Sequence, residues 1–356
     1  MSFNVKMEAF QVKVSIVGAN GYGGLELIRL LLNHPSVDIA MLIAHQAAGM
    51  AIETVAPHLN GRLDLPVESF DADRIAEQSD AVFFATPTGV SKALLPECLQ
   101  RGLICIDLSG DFRLKTPEDY AVWYRKPPAD ADLLNQAVYG LAEVNRRQIA
   151  GAVFIANPGC YPTATLLGLA PALKDGAINP ASIVIDGKSG VSGSGRKAAT
   201  GNLYSEVNES VKAYKVGVHQ HTPEIEQGIA AIGGSRYPVT FTTHLIPMTR
   251  GLMCTIYAEL AKGYSTKEFL ELYQHYYKKS PFVRIRPLGT YPATKEVAGS
   301  NYCDIGLNVD GRTRRLTIVS VIDNLVKGAA GQAVQNLNII KGWDEEAGLR
   351  LAPVYP

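Results

Sequence analysis

Gln11-Val12-Lys13-Val14-Ser15-Ile16-Val17 runs straight into Gly18-Ala19-Asn20-Gly21-Tyr22-Gly23-Gly24. The first stretch alternates and ends apolar, as an opening strand does. Leu25, Leu27, Ile28, Leu31 and Leu32 then recur at helical spacing as far as Asn33-His34-Pro35, and Val37–Ile43 reads as a second strand. Strand, glycine turn, helix, strand is the βαβ unit that binds dinucleotides. The glycines at 18, 21 and 24 form G-x-x-G-x-x-G, a variant of the usual G-x-G-x-x-G. Glycines alone mark any tight turn. Their place after a strand and before a helix makes Gly18, Asn20, Gly21, Tyr22, Gly23 and Gly24 the expected cofactor turn. The helix N-terminus there receives the pyrophosphate.

The end of the second strand bears on which nicotinamide cofactor binds. A carboxylate there accepts from the ribose 2′-OH of NAD. Here Leu42-Ile43-Ala44-His45-Gln46-Ala47-Ala48-Gly49 has no acid, which permits NADP. His45 and Gln46 can donate to a 2′-phosphate, and a plain solvent-facing histidine is an equal reading of His45. Asp80–Ala85 and Leu103–Leu108 read as further strands of the same sheet. The first leads into Thr86-Pro87-Thr88-Gly89, at a strand's carboxyl end, where cofactors lie in open sheets. The second leads into Ser109-Gly110-Asp111-Phe112-Arg113-Leu114. Arg113 can grip a phosphate or carboxylate, although the residues by themselves favour a surface pair with Asp111.

Asn157-Pro158-Gly159-Cys160-Tyr161-Pro162-Thr163 opens a new element. The prolines and glycine forbid a continuous helix or central strand through it. Thr163-Ala164-Thr165-Leu166-Leu167-Gly168-Leu169-Ala170 continues as a helix, with Pro162 suited to its first turn. Cys160 then sits at or just before a helix N-terminus, where free N–H groups favour a thiolate. That is the expected nucleophile, its thiol held below the free-cysteine value of about 8.5. Cys98, Cys105, Cys254 and Cys303 read as small buried hydrophobes in a helix and three strands. Five cysteines without metal or redox spacing suit a reducing compartment.

Composition bounds the partners. The chain has 356 residues, 47% hydrophobic, and 34 basic residues balance 34 acidic ones. Zero formal charge makes no case for nucleic acid or an anionic membrane. No apolar run is long enough to span a bilayer, and Met1–Glu8 lacks a signal peptide's apolar core. A cytoplasmic protein with room for two cores is expected.

Downstream, Ser182–Asp186 reads as a strand feeding Gly187-Lys188-Ser189-Gly190-Val191-Ser192-Gly193-Ser194-Gly195-Arg196-Lys197, a loop of small residues that allows close approach to a ligand. Val216-Gly217-Val218-His219-Gln220-His221-Thr222-Pro223-Glu224 precedes another helix, with Thr222 as the expected N-cap. A metal site would want a third ligand and none is evident. General acid/base work needs only one histidine near a nucleophile. Thr240–Pro247, Gly251–Ala258, Tyr302–Val309 and Arg315–Ile322 read as strands. Ser265-Thr266-Lys267-Glu268 reads as a capping box, and about Asn324–Ile340 as a last helix.

These blocks together, over nearly the whole chain, resemble the N-acetyl-gamma-glutamyl-phosphate reductases within the aspartate-semialdehyde dehydrogenase superfamily. The resemblance rests on Gly18–Gly24, Asp107–Leu114, Tyr139-Gly140-Leu141, Asn157–Thr163, Ser189–Arg196, Gly217–Gln227, His244–Gly251 and Asp323–Gln332. Ala142 stands where the family commonly has proline and Gly110 where it often has alanine; neither is expected to touch the chemistry. The resemblance implies an α/β protein with a discontinuous Rossmann-type NADP-binding domain, 1–157 plus 324–356. A catalytic and oligomerisation domain with a mixed sheet, 158–323, completes it. It implies NADPH-dependent reduction of an acyl phosphate through a Cys160 thioester, with His219 as acid/base. Thr86, Pro87, Ser189, Gly190 and Asn324 fall to the cofactor, and Arg113, Asn157, His221, Glu224 and Arg250 to the substrate. A homodimer or homotetramer is implied, with no metal. Another acyl phosphate (aspartyl phosphate or carrier-linked aminoadipyl phosphate) and a non-catalytic NADP-binding regulator are the alternative readings.

Overall fold

The computed structural model describes residues 11–355. Met1–Glu8, on which the signal-peptide expectation rests, lies outside the described residues. The first sheet contains β1 (Val12–Val17), β2 (Val37–Ile43), β3 (Val67–Glu68), β4 (Ala81–Phe84), β5 (Ile104–Asp107), β6 (Val138–Tyr139) and β7 (Phe154–Ala156). Its order is β3-β2-β1-β4-β5-β7-β6 and every pairing is parallel. The strand order reverses between β1 and β4, so the loops leaving those two strands flank the crevice where open α/β sheets bind ligands. Those loops are the glycine turn and Thr86–Gly89.

The second sheet is mixed. It contains β8 (Ile178–Ser189), β9 (Lys212–Tyr214), β10 (Thr240–Leu245), β11 (Leu252–Leu260), β12 (Val283–Ile285), β13 (Cys303–Asp310) and β14 (Arg315–Ile322) in the order β12-β13-β14-β11-β8-β10-β9. β8 pairs parallel with β10 and antiparallel with β11. It extends well beyond the expected Ser182–Asp186 at both ends.

The helix Cys160–Lys174 lies against this sheet, with every residue from Tyr161 to Leu173 buried. That explains why it shows no amphipathic stripe: a helix apolar all round is a core helix. Truncating Leu166 or Leu167, both fully buried, would cost about 2–5 kcal/mol. The Ser265 capping box is present, with Ser265 Oγ accepting from Glu268 N–H. The expected last helix divides into a π-helical turn, Val326–Ala330, and an α-helix, Gly331–Ile340. Val326, Ala333, Val334 and Leu337 from this segment pack in one core with Val14, Ile16, Leu27 and Ile155 of the first sheet and its glycine-turn helix. The chain therefore returns to its first half after building the second sheet. Among the described residues, no helix is long and apolar enough to cross a membrane.

Candidate active site

The glycine turn has the shape a dinucleotide needs. Gly18 has φ +90°, and a Cβ there would lie 2.4 Å from Ala85 O. A Cβ on Gly24 would lie 2.3 Å from Gly18 O. Both glycines let the turn fold tightly against β4 and the helix. The third, Gly21, is the N-cap of Tyr22–Leu31, which has no side-chain cap and no acid in its first turn. Its first N–H groups are left for an anionic ligand. His45 and Gln46 follow β2 in a short 3₁₀ turn, both exposed.

On the far side of the crevice the expected residues serve as scaffolding. Thr86 Oγ1 lies 2.7 Å from Ser91 Oγ, which fixes the loop bearing Pro87. Ser189 Oγ donates to Gly190 O. Asn324 accepts from Gly251 N–H at 2.8 Å and donates to Ser192 Oγ at 2.9 Å. A Cβ on Gly190 would lie 2.7 Å from Thr249 O, so this loop is seated closely on the 248–251 turn. Arg196 of the same loop donates to Asn20 O at 3.0 Å and Val55 O at 3.2 Å, joining the second half of the chain to the glycine turn. Arg250, expected on substrate, is held by Glu26 at 2.7 Å and Asp323 at 3.5 Å.

Cys160 is the first residue of its helix, with Gly159 as an N-cap lacking any side-chain cap. A buried frame fixes the loop before it. Glu224, fully buried, accepts from Gly159 N–H and Tyr139 Oη, each at 2.8 Å. Its other oxygen faces Arg113 Nη1 at 3.4 Å. Arg113 donates from Nε to Asn157 O at 2.8 Å and from Nη2 to Leu108 O at 2.7 Å. Asn157 donates to Ala329 O and accepts from Asn336, both at 3.0 Å. Asn157 and Glu224 are thus engaged by protein, and a carboxylate facing inward would in any case repel an acyl phosphate. Arg113 does not pair with Asp111 at the surface. It is buried, and Asp111 is taken by Gly89 N–H and Tyr120 Oη. Only Nη1 of Arg113 lacks a carbonyl partner. Behind Cys160 runs the π-helical turn, where a Cβ on Gly328 would lie 2.8 Å from Cys160 Cβ.

The two histidines stand beside this frame, their ring centroids 4.9 Å apart. Tyr161 meets His219 edge-on at 5.5 Å and His221 at 6.1 Å. His221 N–H donates to His219 Nδ1 at 3.1 Å, which assigns the neutral ring's proton to Nε2. Burial, helped by the charge of Lys215, pulls the His219 imidazole down to about 3. Arg113 Nη1 lies 3.4 Å from His221 Nε2, which assigns that ring's proton to Nδ1. His221 Nδ1 is buried and meets no protein partner, so it is a spare donor. His221, not Thr222, is the N-cap of Thr222–Gly233, a shift of one residue.

The thiol departs from expectation. Burial pushes Cys160 up to about 11, against the charge of Arg113 and the N–H groups of Tyr161 and Cys160. The helix N-terminus is there but is outweighed by desolvation. His219, being neutral, contributes no charge. Cys98, Cys105, Cys254 and Cys303 are buried as expected and no cysteine is bridged. No cluster of metal-ligating side chains occurs among the described residues. The sequence reading missed Tyr124, Lys215 and the steric role of Gly328; only their contacts reveal them.

Family comparison follows the same division of the chain. The semialdehyde dehydrogenase NAD binding domain matches residues 13–152, and the semialdehyde dehydrogenase dimerisation domain matches 160–324. The class is therefore a two-domain semialdehyde dehydrogenase. N-acetyl-gamma-glutamyl-phosphate reductase of Geobacillus sp. (strain WCH70) is 53% identical over 345 residues, covering 97% of this chain and 100% of that protein. The Bacillus subtilis (strain 168) protein of the same name is 49% identical over the same shares. The chain belongs to the N-acetyl-gamma-glutamyl-phosphate reductase family. Its fold is also that of aspartate semialdehyde dehydrogenase II from Vibrio cholerae, with TM-score 0.72, 18% identity, and 93% and 99% of the two chains covered. The Candida albicans aspartate semialdehyde dehydrogenase with NADP has TM-score 0.66, 17% identity and coverage of 93% and 98%.

Proposed function

We propose that this chain reduces N-acetyl-gamma-glutamyl phosphate to N-acetylglutamate semialdehyde, releasing phosphate, as a step of arginine biosynthesis. The observation that carries the reading is Cys160. It opens a buried helix beside the nucleotide crevice, in a chain about half identical to reductases of that name over 97% of its length. The enzyme is an oxidoreductase with an NAD(P)-binding domain. NADP is the expected cofactor, since the turn after β2 offers His45 and Gln46 and no carboxylate. The domains divide as 1–157 plus 324–356 and 158–323, supported by the packing of the last helix on the first sheet. The protein works in the cytoplasm as a homodimer or homotetramer.

The chemistry follows from the frame. Arg113 Nη1 and the spare His221 donor hold the acyl phosphate against Cys160. A Cys160 S–C bond forms as the acyl C–O bond breaks, and the thiol proton leaves with the phosphate. The thioester splits one difficult reduction into two easier steps. The nicotinamide supplies hydride to the thioester carbon when bound. His219, with Nδ1 occupied, presents Nε2–H to the acyl oxygen where negative charge develops. Collapse of the thiohemiacetal breaks the C–S bond as the hydroxyl proton passes to the sulfur, which restores the Cys160 thiol and frees the aldehyde. The glycine turn and the uncapped helix hold the dinucleotide, and the loop Ser189–Gly190 is scaffolding for that crevice.

Steady-state assay in reverse, with inorganic phosphate, NADP and N-acetylglutamate semialdehyde, tests this directly. Turnover of aspartate semialdehyde in its place would favour the alternative substrate, and no turnover of either would leave a binding protein. The cofactor preference is read separately. kcat/KM should favour NADPH over NADH, and equal use of both would show that the His45–Gly49 turn does not read the 2′-phosphate.

A further inference from the structure

A cavity of about 620 Å³ opens between the two halves of the chain. One wall is Val122–Lys126 of the first half, the other Lys215–Gln220 of the second, and Thr88 of the cofactor loop lies between. Three cations line it: Arg125, Lys126 and Lys215. Among the described residues none of them forms an ion pair. Lys126 Nζ donates to Thr88 O and Lys215 Nζ to Gln220 Oε1, both neutral. Concentrated positive charge without a counter-charge, inside a cleft, favours an anionic ligand.

Backbone geometry points the same way. Arg125 has φ +53° and Lys215 φ +47°, two of only four such non-glycine residues among those described. Left-handed backbone is unfavourable for a long side chain and persists where the surroundings impose it, often at ligand sites. Here one such residue stands on each wall of the same cavity.

The cavity also reaches toward the reacting centre. Tyr124 lines it, and its Oη is buried without a hydrogen-bond partner. A Cβ on Gly110 would lie 2.4–2.6 Å from the Tyr124 ring and hydroxyl. Gly110, expected to be remote from the chemistry, is therefore what admits Tyr124 to this place. At the other wall Lys215 follows Tyr214, whose ring lies 5.6 Å from that of His219. Gln220, which stands between the two histidines in the chain, lines the cavity together with the three cations.

We propose that Arg125, Lys126 and Lys215 form a subsite for a second anion on the substrate, a carboxylate at the end of the acyl chain remote from the phosphate. This rests on the acyl-phosphate chemistry proposed above and adds to it a rule of selection. The enzyme takes acyl phosphates that carry a far carboxylate and discriminates against those that lack one.

The test compares N-acetylglutamate semialdehyde with its α-carboxamide, in reverse, for the wild type and for Lys215→Gln and Arg125→Gln. Charge-assisted hydrogen bonds are worth about 1.5–3 kcal/mol, or roughly tenfold to a hundredfold in affinity. The wild type should show a KM for the carboxamide higher by about that factor. Each variant should raise the KM for the carboxylate toward the carboxamide value. The KM values for the carboxamide, phosphate and NADP should stay within about twofold. Two exposed positions, one on each wall, make a folding defect common to both variants easy to recognise by its equal effect on all ligands. Equal KM values for carboxylate and carboxamide in the wild type would overturn the subsite while leaving the proposed reaction standing. So would a loss in the variants that falls on phosphate or NADP. A wild type inactive on both semialdehydes would overturn the proposed reaction instead.

Discussion

Cys160→Ala should abolish phosphate-dependent turnover and thioester formation while NADP binds with unchanged affinity. In the proposed reaction the side chain touches the substrate and not the glycine turn, and deleting one sulfur at a helix start leaves the buried Tyr161–Leu173 body intact. Alkylation of the wild type should have the same effect, and its pH dependence reports the site's electrostatics. With the thiol pushed up to about 11 by burial, the thiolate is a small fraction at neutral pH. That fraction grows roughly tenfold per pH unit until the pH nears that value. The iodoacetamide rate should therefore climb throughout the neutral and mildly alkaline range. A plateau above about pH 8 would show a preformed low-pKa thiolate after all. Labelling at Cys98 or Cys254, with Cys160 untouched and activity lost, would remove Cys160 from the chemistry.

What the chain discloses before folding is whatever local geometry demands. The Gly18–Gly24 turn, the strand ends at Ile43 and Ile322, and the cysteine at a helix start were all legible. Each depends on residues within a few positions of one another. Hidden features depend on residues brought together across the chain. Glu224 reads as one acid in a helix's first turn, yet its carboxylate caps Gly159, 65 positions earlier. Arg113 reads as a partner for Asp111, two residues away, but burial delivers it to Asn157 and Glu224. The thiol's acidity is hidden in the sequence for the same reason. The favourable helix N-terminus is written in the sequence, while the desolvation that outweighs it is a property of the packed cleft. Left-handed Lys215 and Arg125 carry no turn signal at all, since neither is glycine or asparagine.

His219→Asn should lower kcat on the order of 10²–10⁴-fold with little change in NADPH affinity, whereas His221→Asn should act mainly on substrate KM. The hydrogen bonds distinguish the rings. His219 accepts His221 N–H at Nδ1, so its only free function is the Nε2 donor, suited to an oxygen that gains charge in the transition state and not before it. An interaction made only there appears in kcat. His221 is turned the other way, with Nε2 against Arg113 and Nδ1 left as a ground-state donor, and losing such binding raises KM. Since burial and Lys215 keep His219 neutral down to about pH 3, the wild-type kcat profile should show no histidine inflection across roughly pH 5–8, the usual range for that side chain. An inflection near 6.5 that vanishes in His219→Asn would mean that the ring ionises in the working complex and acts as an acid in the ordinary sense. An exchange of the two phenotypes, with His221→Asn losing kcat and His219→Asn losing only affinity, would reverse the assignment.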